Sequence, residues 1–192
     1  MPLMLVTPPE GEPLSLAETK SFLRLDGSDD DVAVSDLITA ARHRIETAAG
    51  LALLTQGWRL VLDDWPASRA VELMLAPVVS IDEVREFDAD GMASVVDPAD
   101  YLVDTASRPA RLVLRSTRLW TKPGREAGGI EIDFTAGYGA DSSSMPLPLR
   151  QAVMHLVTEA YENREGGRYQ AKPGRLSPIV LQLIAPFRRT RL

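Results

Sequence analysis

The chain has 192 residues, of which 45% are hydrophobic and 25% charged; its net charge is −6 and it has no cysteine. That length favours one domain, or one domain with an elaboration, and can bury a core without covalent staples. The lack of cysteine excludes disulfides, thiolate metal sites and cysteine nucleophiles. No run approaches the roughly 18 apolar residues of a membrane span. Residues 1–6 are apolar but short and lack basic flanks, a poor signal peptide, so the expected compartment is a cytoplasm. Charge is unevenly placed: residues 142–192 hold eight Arg or Lys against three acids, a net +5, which leaves −11 for residues 1–141. An acidic body with a basic C-terminal arm fits a tail that docks on something negative.

In chain order, Pro8-Pro9-Glu10-Gly11-Glu12-Pro13 reads as an extended lead-in, because proline fixes φ and removes a donor. Ser15 to Glu18 has capping-box form, with the Ser15 hydroxyl accepting from the Glu18 amide and the Glu18 carboxylate reaching back. A helix over 15–24 follows, with Leu16, Thr19, Phe22 and Leu23 expected on its apolar side. Asp29 to Asp31 open a second helix over 29–49, since carboxylates offset the positive end of the helix dipole. Val34, Leu37, Ile38, Ala41, Ile45 and Ala48 form its stripe, and Gly50 ends it.

The period then changes to two. Trp58, Leu60 and Leu62, then Val71, Leu73 and Leu75, Leu112 and Leu114, and Ile130, Ile132 and Phe134 each alternate with polar or outward positions. This is the pattern of half-buried antiparallel strands. Ile81 to Phe87 leads into a tight turn at Asp88-Ala89-Asp90-Gly91, and Tyr101 to Val103 adds a short strand. About six strands are expected in a β block over 56–135. Pro146 and Pro148 suit the first turn of a helix over 147–163, with Leu149, Val153, Leu156, Val157, Ala160 and Tyr161 as its stripe. Residues 164–176 read as a linker, and 177–192 as a C-terminal segment with a short helix begun by Ser177-Pro178. The fold class is therefore α+β: an N-terminal helical pair and a long C-terminal helix forming a small bundle, with an inserted antiparallel β block. Residues 1–163 form the main domain.

The motifs of chemistry are weak. His43 and His155 are the two histidines; His155 with Glu159 has ligand spacing but no visible further ligands, so no metal site is expected. The twelfth position of a calcium loop begun at Asp88 is Ala99, where a bidentate glutamate is required. Gly137-Tyr138-Gly139 has no third glycine or following lysine to cradle a phosphate. No cofactor, catalytic centre or enzymatic activity is expected. Arg188, Arg189 and Arg191 beside Phe187 could contact nucleic acid, although the acidic body would repel it.

The order of these elements resembles the head–tail connector (adaptor) proteins of tailed phages, prophages and gene transfer agents. The resemblance is carried by Leu14 to Asp26, by Asp29 to Gly50, by Thr55-Gln56-Gly57-Trp58, by Leu75-Ala76-Pro77-Val78-Val79, and by Phe134 to Gly139 with Pro146 to Ala152. It spans residues 14–163. It implies a structural subunit that forms a ring of twelve copies under the portal protein, in the neck of the particle. Such a ring joins a DNA-filled head to its tail through a tail-side connector or stopper protein. DNA passes through the channel without specific binding, and no membrane is involved. In related connectors the C-terminal segment reaches the portal. Ile179, Val180, Leu183, Ile184 and Phe187, with Arg188, Arg189 and Arg191, are accordingly expected to dock there; ordinary packing within the subunit is the alternative. A DNA-binding packaging accessory using the basic arm is the competing function. The loops 63–70 and 122–129 are candidates for contacts with a neighbouring copy or the tail.

Overall fold

A computed structural model describes residues 2–116, 118–163 and 175–188. The fold is α+β, with four α-helices and eight strands in two antiparallel sheets among the described residues. It divides into two compact units. One comprises Met1–Pro9 with Thr55–Gly137, and the other Glu10–Leu54 with the described part of Tyr138–Leu192.

The helical unit is built from α1 (Leu16–Leu23), α2 (Asp31–Ala49), α3 (Leu147–Glu162) and α4 (Pro178–Ile184). The Ser15 hydroxyl accepts from the Glu18 amide at 3.1 Å, as a cap should. The Glu18 carboxylate does not reach back. It accepts instead from Arg150 on α3 at 2.6 Å. Arg24 ends α1 in the left-handed region at φ 56°, and Lys20 bridges the next turn by bonding the Gly27 carbonyl and the Asp31 carboxylate. α2 buries Val34, Ile38, Ala41, Ile45 and Ala49, and Gly50 closes it at φ 68°, a conformation that glycine adopts without a Cβ clash. α3 buries Leu149, Ala152, Val153, Leu156 and Val157 between α2 and α4. The Tyr161 hydroxyl donates to Asp30 at 2.6 Å, tying the end of α3 to the start of α2.

The expected apolar side of α1 needs one correction. Thr19 is buried, Leu16 and Leu23 are half-buried, but Phe22 is exposed. The Thr19 hydroxyl donates to the Ser15 carbonyl at 2.9 Å, which satisfies a buried polar group inside the helix's own turn.

The β unit holds β1 (Leu3–Thr7), β2 (Gln56–Leu62), β3 (Ala70–Leu73), β4 (Val78–Phe87), β5 (Ala93–Val95), β6 (Tyr101–Asp104), β7 (Ala110–Leu114) and β8 (Ile130–Ala136). The larger sheet runs β1-β2-β8-β4-β5 and the smaller β3-β7-β6. Trp58 faces Phe134, Leu60 faces Ile132 and Leu62 faces Ile130, so the alternation of β2 and β8 puts one apolar row inward. In the smaller sheet Val71, Leu73, Leu112 and Leu114 do the same. The block has seven strands from Gln56 onward, one more than the alternation suggests, because β5 returns along β4 from the Asp88–Gly91 turn. That turn is held by the Asp88 carboxylate, which accepts from the amides of Asp90 at 3.0 Å and Met92 at 2.9 Å. The other addition is β1, in the short apolar stretch before the lead-in, where no strand was expected.

Candidate assembly surfaces

The loops 63–70 and 115–129 meet in the β unit. The Asp63 carboxylate accepts from the Gly128 amide at 2.7 Å, and the Asp64 carboxylate turns the chain by accepting from the Trp65 amide at 2.8 Å. The Trp65 and Trp120 rings then pack edge to face, with centroids 4.8 Å apart at 71°. The Arg118 guanidinium lies 4.6 Å over the Trp120 ring and pairs with the Glu86 carboxylate, which also accepts from the Trp65 indole at 2.6 Å. Each contact fixes the next. The result is a cleft of about 630 Å³ lined by Trp65, Arg69, Arg118, Leu119, Trp120 and Lys122 among others. Aromatic and arginine side chains on a rigid rim suit the anchoring of a partner side chain. The cleft joins residues of loop 63–70 to the stretch that ends at Lys122. Pro123 to Gly129 instead runs past the β4–β5 turn, where a Cβ on Gly124 would lie 2.4 Å from the Ala89 nitrogen.

The outward face of the larger sheet carries a charge network. Arg59 meets Asp133 with its Nε at 2.6 Å and a second nitrogen at 2.9 Å; Arg85 reaches Asp133 at 2.6 Å and Glu131 at 3.1 Å. The hydrogen bond to Asp133 is the main cause of a raised Arg59 pKa. Arg85 also meets Glu83 at 3.2 Å, so two cations are paired with three carboxylates and most of the charge of this face is engaged within it.

The edges of the same sheet differ from that face. Every residue of β1 is exposed, including Leu3 (37%), Met4 (54%), Leu5 (41%) and Val6 (52%). At the opposite edge Met92 (69%) and Val95 (63%) are exposed. No described residue pairs with the outer side of β1. The sequence signal for β1 was a short apolar run ended by Pro8-Pro9, without the alternation that marks a half-buried strand.

In the C-terminal segment, Val180 and Ile184 are fully buried and α4 packs on α3. Ile179 is exposed, Leu183 and Phe187 are half-buried and Arg188 is exposed. Arg189, Arg191 and residues 164–174 of the expected linker lie outside the described residues. The eight residues expected to dock are thus not one surface: two are core of their own helical unit. His43 is exposed, with its Nδ1 4.0 Å from the Glu46 carboxylate, and His155 is half-buried on α3. Among the described residues no helix is long and apolar enough to cross a membrane.

Three solved structures are similar over essentially the whole chain. A chain in the neck of an empty gene transfer agent particle, computed with six-fold symmetry, is 32% identical with a TM-score of 0.82. A chain in the virion of a native gene transfer agent particle is 34% identical, with a TM-score of 0.80. A chain in the neck of a native particle, computed with twelve-fold symmetry, is 33% identical, also with a TM-score of 0.80. Each comparison covers 100% of this chain and 97% of the other. This chain belongs to the neck proteins of gene transfer agent particles. No family model matches the sequence, and no curated protein does. The described residues thus present a tryptophan-lined cleft, two apolar sheet edges and a terminal helix with one exposed side.

Proposed function

We propose that this neck protein is a structural head–tail connector subunit, forming a ring beneath the portal that joins a DNA-filled head to tail-side components. The observation that carries the reading is likeness along the full length, 97% or more of both chains, to chains from necks computed with six-fold and twelve-fold symmetry. A ring of twelve copies follows the higher of these symmetries. The net negative charge of residues 1–141 supports passage of DNA without retention, because an acidic wall repels phosphate. These relatives lend no support to a DNA-binding accessory role. Among the described residues, the exposed side of α4 with Ile179 and Leu181, and Arg188 beyond it, is the part of the C-terminal segment available to the portal, while Val180 and Ile184 hold the helix to α3.

The test is to mix the purified chain with the portal protein of the same genome and image the product, beside a truncation ending at Leu176. A ring on the portal with the full chain supports the connector role. Its loss in a truncated chain that keeps the wild-type circular dichroism spectrum supports docking through the C-terminal segment, since Val180 and Ile184 are also core. Absence of any ring with the full chain overturns the connector role.

A further inference from the structure

A ring of identical copies joins each subunit to the next through two different surfaces, one offered and one received. The larger sheet supplies a pair of such surfaces at its two ends. β1 and β5 are separated by three intervening strands, hence by four strand spacings or roughly 19 Å. Both edges lack charge, since residues 2–9 and 91–96 contain no Asp, Glu, Lys or Arg. Both expose large apolar side chains: Leu3, Met4, Leu5 and Val6 at one end, Met92 and Val95 at the other. Sheet edges that face water are normally guarded by charge, proline or brevity, because an open apolar edge recruits another strand. β5 is short, but β1 has no charge or proline anywhere along its five residues.

We infer that the β1 edge of one copy seats against the β5 edge of the next, and that this contact closes the ring. The inference rests on the ring reading above and names the surfaces that make it. The occupant of each edge is a second copy of this chain, because the two uncharged edges match each other and lie at opposite ends of one sheet. All pairings within the sheet are antiparallel. With five strands, β1 and β5 therefore run in the same direction, and a sheet continued from copy to copy joins them in parallel.

The absence of cysteine makes the test direct. Met4→Cys, Val95→Cys and the double variant are each assembled on the portal and treated with a short bis-maleimide. The double variant is expected to give a ladder of covalent oligomers, and each single variant to remain monomeric in a denaturing gel. A double variant that forms rings yet stays monomeric overturns the inference. So do dimers from either single variant, which indicate a symmetric contact, or cross-links from Met4→Cys to the portal. Wild-type chain that forms no ring overturns the connector reading itself, which separates the two failures. As a second measurement, Met4→Asp/Val6→Asp is expected to retain the wild-type circular dichroism spectrum and to lower ring yield at least tenfold. It keeps one intact edge, so it is also expected to inhibit wild-type assembly when added as a minor component. Wild-type ring yield from this folded variant overturns the inference.

Discussion

The Arg42 guanidinium lies 2.9 Å from the Glu12 carboxylate, thirty positions away in the sequence. Arg42 also meets Glu46 at 3.3 Å, and Glu46 accepts from the Leu53 amide at 3.0 Å. Burial opposes the charge on Arg42, but the hydrogen bonds and charges of Glu12 and Glu46 outweigh it and raise the pKa. One buried cation thus ties the segment before α1 to α2, while its partner Glu46 holds the loop that follows α2. Removing one member of a buried pair leaves the others uncompensated, at about 3–5 kcal/mol. Arg42→Ala is expected to destabilise the chain by about that amount, measured as a lower midpoint in urea denaturation. Glu12→Gln, at the more exposed end, should cost less. Equal effects of both substitutions would contradict this ordering.

Gly124 sits where the loop before β8 crosses the β4–β5 turn. A Cβ there would fall 2.4 Å from the Ala89 nitrogen and 2.8 Å from the Asp88 carbonyl carbon, both backbone atoms that cannot swing aside. Gly124→Ala is expected to cost about 1–3 kcal/mol through overpacking. Gly11→Ala, with nothing within 4 Å, meets no such clash and serves as the control. Thermal unfolding of the two variants checks the contrast.

Trp65 and Trp120 come from loops 55 positions apart and form the wall of the cleft. A double-mutant cycle of Trp65→Ala and Trp120→Ala should return a coupling of about 0.5–1.5 kcal/mol for the edge-to-face pair. Additive losses would mean the rings do not stabilise one another in solution.

Asp104 accepts from the Ser107 hydroxyl at 2.5 Å, from Arg111 at 2.7 Å and from the Ser107 amide at 3.0 Å, so its pKa lies well below the usual carboxylate value. A depressed folded-state pKa stabilises the folded chain above the unfolded-state value near 3.8. That contribution fades as pH falls through and below this value. Asp104→Asn is expected to be less stable than wild type at pH 7, with the gap narrowing below about pH 4. A gap of constant size across that window would show that the carboxylate's charge is not responsible.

The two sides of α4 allow the proposed docking to be tested apart from folding. Val180→Asp places a carboxylate in the α3–α4 contact and is expected to destabilise the helical unit. Ile179→Asp should leave the unfolding midpoint within about 0.5 kcal/mol of wild type, as exposed substitutions usually do, and weaken association with the portal. Wild-type association by the Ile179 variant would remove this side of α4 from the portal contact.

The sequence by itself determined the helices and most strands, because their signals are local. Ser15 caps α1, Gly50 stops α2 and Pro148 starts α3 wherever the rest of the chain lies. The period-two rows of Trp58 to Leu62 and Ile130 to Phe134 likewise specify which face is buried. Tertiary structure decided what those signals do not encode. Phe22 has helical spacing but no neighbouring surface to cover it, whereas Thr19 on the same side is buried. β1 has no alternation, because an edge strand exposed on both faces needs none; only its pairing with β2 makes it a strand. The Arg42 cluster, the paired tryptophans and the division of α4 into an inner and an outer side depend on residues tens of positions apart, where spacing along the chain carries no information about distance in space.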